Sequence, residues 1–254
     1  MSTWYPYRLA CPACAAPGSI ALLKGIHISR LPMVKADIRE GRFQVYTCPE
    51  CGHRTQVEAP SVYTDFPNGQ FIAVEAPNPP DLPAARRRGR EVFDACFTFG
   101  PDIAATLGAS IRHRLVFGVA ALREKVLAWD AGLDDRVVEA LKLDLLAEEG
   151  FGRKDHILRL VAVLPGLHLL FARLRPPVTA DRVPHPAPEG GALPPGVPRP
   201  AAGIGATVCR GAEVEGHVTV PALRYERALQ RRAHLLREHL GLSDEWVVDV
   251  YVGG

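Results

Sequence analysis

Apolar and polar positions alternate through much of the first 75 residues. Residues 19–29 (SIALLKGIHIS) put Ile20, Leu22 or Leu23, Ile26 and Ile28 at strand spacing. Residues 42–47 (RFQVYT) and 54–58 (RTQVE) alternate in the same way. Residues 31–39 differ: Met33, Val34 and Ile38 fall near helical spacing, which predicts a short helix. SVYTDF and FIAVEA flank Pro67-Asn68-Gly69-Gln70, and Asn-Gly predicts a hairpin because both residues tolerate positive φ.

The pattern changes after residue 75. Residues 76–90 (APNPPDLPAARRRGR) read as a linker rich in Pro, Ala and Arg, and 91–110 is ambiguous. Residues 111–119 read as a strand, and 120–129 as a helix closed by Gly132. Residues 134–149 read as a second helix, capped by Asp134, favoured at its positive end by Asp135 and stopped by Gly150. Residues 156–175 alternate on both sides of Pro165-Gly166, which predicts a hairpin. Residues 176–205 are too rich in Pro and Gly to fold alone. Residues 221–240 read as one basic amphipathic helix, with Leu223, Leu229, Leu235, Leu236 and Leu240 approximating a face, and 245–252 as a closing strand. The fold class is α+β: an N-terminal zinc-ribbon-like β domain at 1–75, the linker at 76–90, and a mixed helical and strand domain at 91–254 interrupted by the loop at 176–205.

At 254 residues, 47% hydrophobic and 23% charged, the chain has the means for a sizeable core. A net charge of +2 gives no global bias toward nucleic acid or membrane. No run of about 18 apolar residues predicts a membrane span. The first residues lack a basic stretch followed by an apolar one, so no signal peptide is read and a cytoplasmic location is expected. The Ala, Arg and Pro bias points to a GC-rich bacterial genome.

Four of the six cysteines form two CPxC pairs, Cys11/Cys14 and Cys48/Cys51, with 33 residues between the pairs. In such a knuckle two thiolates chelate one ion, and a residue after the second cysteine takes positive φ. Gly52 meets that demand, whereas Ala15 stands where Gly is favoured. Four thiolates suit tetrahedral Zn²⁺ and leave no position for water or substrate, which predicts one structural ion. Iron in a rubredoxin-like site would use the same ligands. Disulfides, free thiols and a thioredoxin-like pair fit less well in a reducing compartment. His53 reads as a neighbour of the site, and Cys96 and Cys209 as buried or incidental thiols.

These residues resemble the CpXC family of prokaryotic proteins. CPAC, FQVYTCPECGH and APSVYTDFPNGQFIAVEAP carry the likeness, with Ser61-Val62-Tyr63-Thr64-Asp65 at a characteristic segment, and residues 122–142 (LREKVLAWDAGLDDRVVEALK) extend it. The resemblance implies a metal-binding domain with a zinc-ribbon-like fold and no established catalytic activity.

Other constellations point less far. Arg86, Arg87, Arg88 and Arg90 form the densest basic run and are the candidate nucleic-acid residues, though a solvated linker explains them more simply. Asp134, Asp135 and Glu139 read as capping and dipole residues rather than an acid/base cluster. His113, His156 and His168 have no fixed spacing to a nucleophile, Gly203-Ile204-Gly205 lacks the context of a phosphate loop, and the terminal Gly253-Gly254 is a bare match to conjugation tails. The leading expectation is a non-enzymatic, zinc-stabilised interaction module acting with other protein subunits. The alternatives are a nucleic-acid-binding ribbon and an enzyme with its site in the C-terminal half.

Overall fold

The computed structural model describes residues 3–98, 102–153, 155–175, 207–209 and 213–252. The 176–205 loop and the Gly203-Ile204-Gly205 and Gly253-Gly254 motifs lie outside the described residues. The protein is α+β. Its strands are β1 (Thr3–Ala10), β2 (Pro17–His27), β3 (Val45–Thr47), β4 (Arg54–Glu58), β5 (Ser61–Asp65), β6 (Gln70–Glu75), β7 (Arg112–Phe117), β8 (Ile157–Leu164), β9 (His168–Arg175), β10 (Thr207–Cys209) and β11 (Glu213–Val220). Its helices are α1 (Pro32–Glu40), α2 (Leu82–Cys96), α3 (Asp102–Ser110), α4 (Val119–Asp130), α5 (Asp135–Glu148), α6 (Ala222–Gln230) and α7 (Arg232–Glu238).

One sheet has the order β1-β2-β5-β6-β7, with β2/β5 and β6/β7 parallel. It runs from the N-terminal strands through β7, across the segment read as a linker. A second, small sheet, β10-β4-β3, carries the second cysteine pair between β3 and β4. A third, β11-β9-β8, is antiparallel, and its β8–β9 hairpin turns where the alternation predicted. At the predicted turn after β5 a 3-10 turn spans Phe66–Asn68, and Gly69 takes φ +58°.

Three readings need correction. Of residues 76–90, those from Leu82 onward are helical: Asp81 caps α2 by accepting from the Ala84 N–H at 2.8 Å, and Pro83 sits in the first turn, where its missing donor costs nothing. Gly89 lets α2 approach the sheet; a Cβ there would meet Leu115 Cδ1 at 3.0 Å. Residues 221–240 form two helices broken at Arg231 rather than one. Their buried face is Tyr225, Ala228 and Leu235, while Leu223, Leu229 and Leu240 point outward. Residues 245–252 form no strand. They bend at 245–246 and turn at 250–252, and are held by one backbone bond, Leu115 N–H to Trp246 O at 2.8 Å, and by side chains: Arg114 Nη1 donates to Glu245 O, Lys125 Nζ to Val248 O, and the Val250 N–H to Glu139 Oε2.

The main core gathers α1, α4 and α5 against the sheets, with Ile26, Ile38, Tyr63, Ile72, Leu122, Val126, Leu141 and Phe171 among its members. A small separate core joins Leu9, Cys11, Leu22, Tyr46, Cys48, Val57 and Ala59 beneath the cysteine pairs. A third packs Phe71 and Phe97 under α2.

Candidate metal centre

The two knuckles are built alike. Cys11 N–H donates to Ala16 O at 2.8 Å, and Cys48 N–H to His53 O at 2.9 Å. The next bond repeats as well: Ala15 N–H to Cys11 O, and Gly52 N–H to Cys48 O. Both turns need a left-handed residue, and both have one: Gly52 at φ +72° and Ala15 at φ +60°. Ala15 therefore adopts the conformation that its Cβ disfavours.

These turns bring the four sulfurs within 4.8 Å of one another. Cys11 and Cys51 Sγ are 3.6 Å apart, and Cys14 and Cys48 Sγ 3.7 Å. Sulfurs around a tetrahedral ion with bonds of about 2.3 Å stand roughly 3.8 Å apart, so the donor set fits one metal ion. The first cysteine of each pair is buried and the second is exposed. The ion would thus sit at the rim of the small core, with a complete sulfur shell. Backbone N–H groups of Cys51 and then Glu50 point at the Cys48 sulfur and outweigh its burial, which pulls its pKa down to about 6. Tyr46 lies against the site, pressed on Gly18, where an added Cβ would lie 2.0 Å from the Tyr46 hydroxyl. His53 takes part through its backbone: its carbonyl accepts from Cys48 N–H and its N–H points at the Cys51 sulfur. Cys96 is exposed on α2, not buried; the Cys209 side chain lies outside the described ones.

A family-model scan matches this chain over residues 9–142 to the family described as CpXC protein. The chain belongs to the CpXC family. The match covers more than half of the 254 residues and includes both knuckles, residues 61–65 and most of α5. Neither the search of curated proteins nor that of solved structures returned a match. Within the CpXC match, residues 61–65 are structural. Tyr63 is fully buried, Thr64 Oγ1 donates to Ile26 O, and Asp65 takes bonds from Lys35 Nζ at 2.8 Å and Asn68 Nδ2 at 2.9 Å. Lys35 also reaches Asp130 at 2.7 Å, tying α1 to the end of α4.

The other candidates fall elsewhere. Arg86 pairs with Asp244, Arg87 with Glu91 and Arg88 with Glu75, all along α2; Arg90 is exposed. Asp134 does cap α5, accepting from the Arg136 N–H at 2.9 Å. Asp135 and Glu139 do more than the dipole requires. They belong to a buried set of charges in which Glu124, Asp135, Glu139 and Asp249 face Arg114, Lys125, Lys142 and Arg159. Burial opposes the Glu139 charge, but Lys142 and Lys125 outweigh it and hold that carboxyl below its usual range. The sequence signalled this set only as charges at core-facing positions of two apolar helices. A cleft of about 490 Å³ opens near it, lined by residues including Arg112, His113, Arg114, Asp135, Arg136 and Glu245. Arg114 and Asp135 in that cleft are already joined by two bonds of 2.8 and 3.0 Å.

Proposed function

We propose that this chain is a non-enzymatic, zinc-stabilised protein-interaction module, a subunit or adaptor of a larger assembly. The observation that carries the reading is the four-sulfur donor set. It fills a tetrahedral shell and leaves no coordination position for substrate or activated water, so the ion's work is to hold the ribbon. Zinc suits four thiolates and this geometry without redox chemistry. The helix α6 and the turn after α7 offer a contact face, because Leu223 and Leu229 on α6 and Leu240 in that turn are 55%, 41% and 77% exposed, with Arg227, Arg231 and Arg237 exposed nearby in the chain.

The nucleic-acid reading has weaker support, since Arg86, Arg87 and Arg88 are each engaged with a carboxylate. The enzyme reading would use the cleft at Arg112–Arg114, but the Arg114 and Arg136 guanidiniums there are spent on Asp135 and on backbone carbonyls. Affinity purification of the tagged chain from its host, followed by mass spectrometry, tests the proposal. A stoichiometric protein partner that is lost when Leu223, Leu229 and Leu240 are changed to Ser is the expected result. Partnerless recovery, or recovery with nucleic acid at low salt, would overturn it.

A further inference from the structure

Successive residues of a strand point to opposite faces, and β4 uses both. Val57 lies in the small core with Cys11 and Cys48. Glu58, one residue on, is 6% exposed and faces the other way, accepting the Val119 N–H through Oε2 at 2.7 Å. Val119 opens α4, the helix that carries Glu124 and Lys125 into the buried charge set.

That helix lacks a cap of its own. The N-cap position is Gly118 at φ +87°, with no side chain to accept a bond, and the first turn holds no acidic residue. A carboxyl oxygen here answers the orphan donor in either protonation state. It comes from the ribbon, sixty-one positions earlier in the chain. Glycine at 118 answers the φ of +87° rather than a lack of space, since a Cβ there would be in ordinary contact with Glu58 Oε2 at 3.4 Å.

What sets Glu58 in place is the register of β4, which pairs with β10 at Glu58 itself (Thr207) and with β3 over residues 54–56. Tyr46 pairs with Thr55 and Thr47 with Arg54, directly across the turn that holds Cys48 and Cys51. Gln56 Nε2 adds bonds to Phe43 O and Gln44 O, each 3.1 Å. A slip of one residue would exchange the two faces, turning Val57 toward α4 and Glu58 into the small core.

We propose that Glu58 couples the metal centre to α4: the ion fixes the Cys48–Cys51 turn, the turn fixes the β3/β4 register, and the register delivers the cap. Loss of the ion frays the hairpin and opens the first turn of α4, while α5 stays ordered. The inference rests on the reading that the four sulfurs hold a metal ion.

Hydrogen exchange of the full chain, zinc-loaded and chelator-stripped, tests it. In the wild type, the amides at 119–122 are expected to exchange about five-fold faster once stripped, the scale of a lost cap, and those of 139–146 to be unchanged. Glu58→Gln keeps an acceptor oxygen and should keep the zinc dependence. Glu58→Ala should exchange fast in both states while still binding one zinc. Equal exchange at 119–122 in loaded and stripped wild type, with zinc demonstrably bound, would overturn the coupling and leave the metal reading intact. A wild-type-sized zinc effect in Glu58→Ala would do the same. If no zinc binds, the metal reading fails and the coupling fails with it. Should Glu58→Ala not fold, the wild-type and Glu58→Gln comparisons still decide.

Discussion

The ribbon core consists of Leu9, Leu22, Tyr46, Val57 and Ala59 with Cys11 and Cys48, so two of its members belong to the four-cysteine set that could hold a metal ion. The layer around α4 and α5 buries many large apolar side chains and, among them, a set of paired charges. The first is a small apolar cluster beneath two tight turns, and on the proposed reading an ion held by the four sulfurs adds the stability it lacks. The second has surface to spare, enough to offset the desolvation of Lys142 and Glu139, both essentially inaccessible to water. In one region the polar chemistry provides stability. In the other it specifies geometry, above all the path of residues 245–252.

The comparison breaks most visibly at the metal. Cys48→Ala, or removal of the ion, should cost the ribbon metal-binding free energy on the order of 10 kcal/mol. Proteolysis between residues 42 and 58 should then become rapid, while the α4/α5 layer keeps its protection. Equal protection of the ribbon with and without metal would show that the small core suffices.

Next comes the charge set. Lys142→Ala leaves Glu124 and Glu139 facing each other without their shared cation. The expected loss is about 3–5 kcal/mol in denaturant unfolding of the main core. A loss below about 1 kcal/mol would mean that water reaches these carboxylates.

Glu58 joins the two regions and gives a pH signature. Burial, only partly opposed by the Val119 N–H and by Arg159, raises its carboxyl pKa from 4.5 to about 7. The folded chain therefore holds this proton more tightly than the unfolded chain does. The group's stabilising contribution is complete below pH 4.5 and declines by about 3 kcal/mol as pH rises to 7. Glu58→Gln removes that slope while keeping an acceptor. Relative to wild type it should gain stability progressively between pH 4.5 and 7, and parallel stability curves would contradict the assignment.

The smallest effect sharpens the likeness of the two knuckles. Ala15→Gly relieves a left-handed alanine and should stabilise the metal-loaded ribbon by about 1 kcal/mol or less, read as a higher melting temperature. No change would mean that the strain at Ala15 is already relaxed.

Much of this was legible in the residues because local rules decided it. The CPxC spacing located the four cysteines that the fold brings together, Ala15 was visible as the odd residue in its turn, and Asp134 and Gly132 marked the ends of helices that formed there. Elsewhere tertiary contacts decided. Residues 82–90 looked like part of a linker because Pro, Ala and Arg dominate, yet Asp81 and Pro83 are good starting residues and Arg86, Arg87 and Arg88 find carboxylates at Asp244, Glu91 and Glu75. Residues 245–252 have strand-like alternation but share only one backbone bond with a strand, Leu115 N–H to Trp246 O, and much of the rest of their backbone is bonded by side chains such as Arg114, Lys125 and Glu139. The charge set and the Glu58 cap join residues far apart in the chain, which periodicity does not reveal.

X-ray absorption at the zinc edge, on chain purified with one equivalent of zinc, tests the central claim most directly. The account predicts a single shell of four sulfurs at about 2.3 Å. A shell containing nitrogen or oxygen, or fewer than four sulfurs, would contradict it.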